Sequence, residues 1–89
     1  MEKDTRTVNE KLTENDYDNV VIFQSPDYAA ALIGVSIDNR AVYDYTKMLE
    51  CLQEDGMTDE EAVEFIEFNT LRALAYAGPA GPIIFHPLE

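Results

Sequence analysis

Between Asp44 and Tyr76 the apolar residues recur at helical spacing, and on either side of that stretch they come in short β-branched runs. At about 100° per residue, Tyr45, Met48, Leu49 and Leu52 fall on one side of a first helix, with Lys47, Glu50 and Glu54 opposite. A second helix gathers Ala62, Phe65, Ile66, Ala73 and Tyr76 on one side, flanked by Val63, Thr70 and Leu74. Asn69 projects from the middle of that apolar side. A buried amide without partners costs about 1–3 kcal/mol, so Asn69 is expected to bond backbone groups of a neighbouring hairpin or loop. The opposite side carries Glu60, Glu64, Glu67 and Leu71, with Phe68 beside them. Either this helix is covered on both sides, or Phe68 and Leu71 form an apolar spot inside an acidic rim.

The junction reads Gly56-Met57-Thr58-Asp59-Glu60-Glu61-Ala62. Gly56 suits the left-handed position that ends a helix, because it lacks a Cβ. Thr58 and Glu61 form a capping box for the next helix, with Met57 and Ala62 at the hydrophobic-staple positions.

The flanking runs read as strands. Val20-Val21-Ile22-Phe23 predicts a buried strand, and Ser25-Pro26-Asp27 a single helical turn. Ala29 to Ile37 predicts the next strand, with Ala31, Ile33, Val35 and Ile37 on one face and Gly34 marking a bulge or a close backbone approach. Asp38-Asn39-Arg40 supplies a hairpin turn, Ala41-Val42-Tyr43 returns, and Asp44 caps the first long helix. Gly78-Pro79-Ala80-Gly81-Pro82 breaks the second helix, and Ile83-Ile84-Phe85 is a final strand. Pro82 and Pro87 bracket it, which favours an early or edge position. The order β-β-β-α-α-β predicts an α+β fold, with the helical pair packed on one face of a small, mainly antiparallel sheet. Residues 1–18 show no period and read as a flexible polar arm, disordered or loosely helical. Residues 19–87 then form a single α+β domain, and Leu88-Glu89 resembles the scar left before a purification tag.

Charge narrows the function classes. The 89 residues hold 18 acids and 6 bases, a net of −12. Such a surface repels a phosphate backbone and an anionic membrane, so neither direct nucleic-acid binding nor membrane attachment is expected. No apolar run nears the roughly 18 residues of a membrane span, and a lone cysteine, Cys51, fits a reducing cytoplasm. Asp44 to Glu67 holds nine acids and one base, Lys47, a net of −8. Asp59, Glu60 and Glu61 complement a helix N-terminus. Glu50, Glu54, Glu64 and Glu67 have no such reason, and their mutual repulsion costs stability. They are either a solvated face or a docking face for a basic protein groove.

Catalytic and metal-binding constellations are sparse. His86 and Cys51 are each the only residue of their type, too few for a zinc tetrad or a histidine triad. Asn15-Asp16-Tyr17-Asp18-Asn19 starts like a calcium loop, but Val20 stands where a ligand belongs and no glycine follows. The carboxylates lie on an exposed helix face, not in a cleft, and no phosphate-cradling glycine motif is present. A small enzyme would need a pocket around Asn69, Arg72, Tyr43 or Asp44. No cofactor, metal or catalytic residue is expected.

Four segments carry a resemblance: Leu32-Ile33-Gly34-Val35, Arg40-Ala41-Val42-Tyr43-Asp44, the Gly56–Ala62 junction, and Glu67-Phe68-Asn69-Thr70-Leu71-Arg72-Ala73-Leu74. Over about residues 20–85 the chain resembles small acidic proteins of phages and mobile elements of Gram-positive bacteria. The resemblance implies a setting rather than an activity. Small phage-carried acidic proteins include inhibitors of host defence nucleases, anti-CRISPR proteins among them, and several mimic DNA. By that analogy the chain is expected to be a non-enzymatic binding module that occupies a basic nucleic-acid site of a protein partner. Its partner-binding residues would be Glu50, Glu54, Glu60, Glu64, Glu67, Phe68 and Leu71. The alternative is a self-associating protein, with Phe68, Leu71 and the final strand forming a homodimer surface and acidity serving solubility.

Overall fold

The computed structural model describes residues 6–17, 19–24 and 26–88. Ser25 of the expected helical turn, Asp18 of the calcium-like run and Glu89 lie outside them.

The stretch expected as a polar arm contains a helix, α1 (Val8–Thr13). Thr7-Val8-Asn9-Glu10 is a capping box: the Glu10 N–H donates to the Thr7 hydroxyl at 3.1 Å, and the Thr7 N–H donates to the Glu10 carboxylate at 3.2 Å. Val8 and Leu12, four residues apart, are buried in the main core. Lys11 is buried with them, and its ammonium donates to the carbonyls of Ala29 at 2.6 Å and Leu32 at 2.8 Å. Those bonds fasten α1 to the start of the sheet.

Val20–Phe23 is not a strand. Its residues, like Gln24 and Pro26–Tyr28, lie outside any helix or strand. Phe23 is buried and Val20 and Ile22 are half-buried. Their apolar character is therefore satisfied by side-chain packing rather than by a ladder. The Phe23 N–H donates to the Tyr43 hydroxyl at 3.4 Å. Helical structure near the expected Pro26 turn begins later, as a 3₁₀ turn at Ala29–Ala31.

The sheet has three strands in the order β1 (Leu32–Val35), β2 (Ala41–Asp44), β3 (Ile83–Phe85). Strands β1 and β2 are the expected hairpin, with Asn39 in the left-handed region of its turn. Leu32 faces Tyr43 and Gly34 faces Val42, so Ile33 is an extra, bulged residue. The bulge breaks the expected common face of Ala31, Ile33, Val35 and Ile37: Ala31 is buried, Ile33 is half exposed and Ile37 is fully exposed. Strand β3 takes the edge position that its prolines favour, but it runs parallel to β2. The sheet is therefore mixed, not mainly antiparallel. A parallel return needs a long crossover, and the helices between β2 and β3 provide it.

Asp44 caps α2 (Tyr45–Glu54) by accepting from the Lys47 N–H at 3.2 Å. The helix ends as a Schellman motif. Met57 N–H donates to Leu52 C=O and Gly56 N–H to Gln53 C=O, with Gly56 at φ +101°. The predicted box then starts α3 (Asp59–Phe65): Glu61 N–H donates to the Thr58 hydroxyl at 3.2 Å, and Thr58 N–H to the Glu61 carboxylate at 2.9 Å. The Gln53 amide also donates to Asp59 across the junction. Ala41 and Tyr43 on one side of β2 join Met48 and Leu52 of α2, Ala62 of α3 and Ile66 just beyond it in a single core.

Lys11 is the residue that separates a packed α1 from a solvated arm. Lys11→Met leaves two inward carbonyls without their donor and should lower unfolding free energy by on the order of 2 kcal/mol in urea denaturation. A surface arm position would move it by less than about 0.5 kcal/mol.

Candidate functional site

The helical run from Asp59 does not stay α-helical. Ile66–Thr70 forms a π-helical turn before α4 (Leu71–Ala77), and the Leu71 N–H reaches back five residues to the Ile66 carbonyl. A regular α-helix drifts by about 40° every four residues. The wider π turn absorbs that drift, so the inward seam follows a spacing of four: Ala62, Ile66 and Thr70 are buried and Leu74 is half-buried. This corrects the reading of Asn69, which is exposed, while its neighbour Thr70 takes the inward place. Ala73 and Tyr76, also expected inside, are turned out, Tyr76 to 86% exposure.

Thr70 meets Tyr28 across the core, their hydroxyls 2.6 Å apart in a buried hydrogen bond. Tyr28 sits in the left-handed region at φ +50°, ψ +45°. For a bulky side chain that conformation costs about 1–2 kcal/mol and needs strong local packing to persist. The packing is aromatic. The Tyr28 ring stands edge-on to Phe23 at 5.7 Å and to Tyr43 at 6.4 Å, and Phe23 lies 4.8 Å from Tyr43. Burial raises the pKa of the Tyr28 phenol and so disfavours its ionisation; the bond with Thr70 opposes that shift, and the nearby Cys51 adds to it. Tyr43 is pushed up to about 12 by burial, against the bond from Phe23 N–H and with a further push from Asp27.

A π turn and a strained tyrosine thus meet at one buried bond, and both features concentrate at functional sites. Over that bond lies a groove of about 450 Å³. Val21, Phe23 and Pro26 form one wall, Phe65, Asn69, Ala73 and Tyr76 the other, and Pro82 also lines it. None of its lining residues is charged. Alongside is a shallower recess of about 290 Å³, bounded by Met57, Glu61, Glu64 and Phe68. Phe65 and Asn69 line both, so the two depressions adjoin along the helix.

The candidate acids are all exposed: Glu50 and Glu54 on α2, Glu60 and Glu64 on α3, Glu67 in the π turn. Phe68 is 69% exposed and Leu71 43%. Glu64 and Phe68 of that set share a concavity, the shallow recess. The ion pairs Arg6–Glu14 and Arg40–Asp38 involve none of the candidate acids. Sequence reading missed the groove wall at Val21 and Pro26 and the recess wall at Glu61. The apolar run around Val21 was a signal for the first, but it was read as ladder.

Of the residues an enzyme pocket was expected to gather, Tyr43 is fully buried against Phe23, Asp44 caps α2, Arg72 is exposed and Asn69 lines the groove. His86 lies against the Tyr45 ring, 4.4 Å between centroids. Among the described residues no three His, Cys, Asp or Glu side chains converge to hold a metal ion, and no helix is long and apolar enough to cross a membrane. No protein family, no curated protein and no solved structure matches the chain.

Two measurements probe the buried polar centre. Thr70→Val and Tyr28→Phe should each cost about 1–3 kcal/mol, with the double variant well short of their sum, because both remove one bond. Alkaline pH should act through Tyr43. Its phenol ionises near pH 10 when unfolded and at about 12 when folded, so its stability contribution is complete below pH 10 and is lost as pH rises toward 12. Urea midpoints should fall over that interval, corresponding to about 2–3 kcal/mol, and Tyr43→Phe should flatten the fall.

Proposed function

We propose that this chain is a non-enzymatic binding module whose acidic helical face docks on a basic surface of a protein partner. The observation that carries this reading is Phe68, an aromatic side chain 69% exposed beside the solvent-facing carboxylates Glu64 and Glu67. Isolated exposed aromatics are tolerated on any protein, but an aromatic anchor within a field of one sign has the composition of an interface hot spot with steering charges around it. The −12 net charge selects a basic partner. A nucleic-acid-binding enzyme offers such a surface, and the resemblance to small acidic phage proteins supports a bacterial cytoplasm and an inhibitory, nucleic-acid-mimicking role. Glu50, Glu54, Glu60, Glu64, Glu67, Phe68 and Leu71 are the residues assigned to contact.

Self-association is the second reading. Strand β3 favours it, because an edge strand leaves one side of its backbone unpaired. Sedimentation at about 50 μM separates the two: a monomer there removes a homodimer of micromolar strength.

The docking reading is tested by affinity capture from bacterial lysate with the native chain and with the E60Q/E64Q/E67Q variant. These surface changes should leave stability within about 0.5 kcal/mol. A partner held by the native chain should be released as salt rises from about 0.1 to 1 M, over which the screening length falls from about 10 to 3 Å. The variant should hold the same partner at least about tenfold more weakly. Equal retention with the same salt response overturns the proposal.

A further inference from the structure

The geometry points to a bipartite peptide site: the uncharged groove beside Tyr76 takes an apolar side chain of the partner, and the adjoining recess takes a neighbouring lysine or arginine against Glu61 and Glu64. This rests on the docking reading above and specifies which part of a basic partner is recognised. Two observations converge on it. The groove is free of charge along its whole lining and mainly apolar, with Gln24, Asn69 and Thr70 among its polar residues, so it offers no counter-charge to a basic side chain and a favourable place to an aliphatic or aromatic one. The recess that shares Phe65 and Asn69 with it carries two carboxylates, the complementary place for a cation. An occupant that satisfies both must therefore present apolar and basic residues in succession, which is the chemistry of a basic amphipathic segment.

Asn69 stands where the two depressions join. Its amide is exposed, turned outward by the π turn, and it carries both a donor and an acceptor. In the proposed complex it bonds the backbone of the bound segment between the apolar and basic side chains. The strained Tyr28 and its bond to Thr70 hold the facing wall in place beneath.

The test uses the full chain and three ten-residue synthetic peptides: one of leucine and lysine, one with serine replacing leucine, one with glutamine replacing lysine. In amide NMR titrations the leucine–lysine peptide should shift the Asn69 side chain, Ala73 and Ala77, with a salt-dependent affinity. Ala73→Trp, a substitution at an exposed position that fills the groove, should weaken it about tenfold. E61Q/E64Q, which keeps a capping-box side chain at Glu61, should weaken it severalfold and flatten the salt dependence. Equal affinity for the serine–lysine peptide overturns the groove assignment while leaving the acidic face intact. Equal affinity for the leucine–glutamine peptide makes the groove a plain apolar pocket and overturns the bipartite site. Absence of groove shifts with all three at about 1 mM overturns it too. Failure of the underlying docking reading appears separately, as unchanged lysate capture by E60Q/E64Q/E67Q.

Discussion

The hydrogen bond between Tyr28 and Thr70 ties together two segments 42 residues apart in the chain. Tyr28 lies outside any helix or strand, so its backbone has no ladder to position it. Thr70 ends a π turn whose hydrogen bonds are stretched to five residues. Each segment alone is a weak element, and each is locally unfavourable. Joined through a buried 2.6 Å bond, they fix the distance between the groove's walls. The Phe23, Tyr28 and Tyr43 rings supply the apolar enclosure that makes the bond strong, and Tyr43 in turn belongs to the central strand. The path from sheet to groove to helix runs through three aromatic rings and one threonine.

Charge is organised around the same core. A chain of net −12 repels itself when compact, and a buried lysine lowers that repulsion where it is placed. Lys11 sits among carbonyl oxygens at the junction of α1 with the sheet, and its ammonium donates to two of them. The acids are treated differently. Those in capping boxes, Glu10 and Glu61, accept backbone N–H groups and help start helices. Glu60, Glu64 and Glu67 face water, where the cost of crowding is screened and the field is available to another molecule.

What could be read from sequence was whatever is encoded within a few residues. The box at Thr58 and Glu61, the left-handed Gly56, the Asp44 cap and the Asp38–Arg40 turn all depend on neighbours in the chain, and all are present. The same rule applied at Thr7 and Glu10 but went unread, because a six-residue helix shows too little periodicity without its tertiary partners. Val20–Phe23 has the composition of a strand, yet its partners are rings from distant segments, and side-chain packing displaced backbone pairing. The parallel direction of β3 was illegible for a similar reason, since it follows from how the whole crossover closes. For the candidate site, the helical wheel puts Phe68 and Leu71 on the acidic side but does not decide between cover and exposure; the structure leaves both exposed. The groove was not, because one wall has no period and the other changes phase at the π turn.

That change of phase is what one added residue does to a regular helix. With one residue fewer between Ile66 and Thr70, the inward positions would follow the four-three-four spacing of an ordinary amphipathic stripe. The surplus residue is accommodated on the outside, among Glu67, Phe68 and Asn69. A surface arranged this way is open to revision by insertion or deletion as well as by substitution. A change of one residue in length within Ile66–Thr70 would then be felt first among the outward side chains.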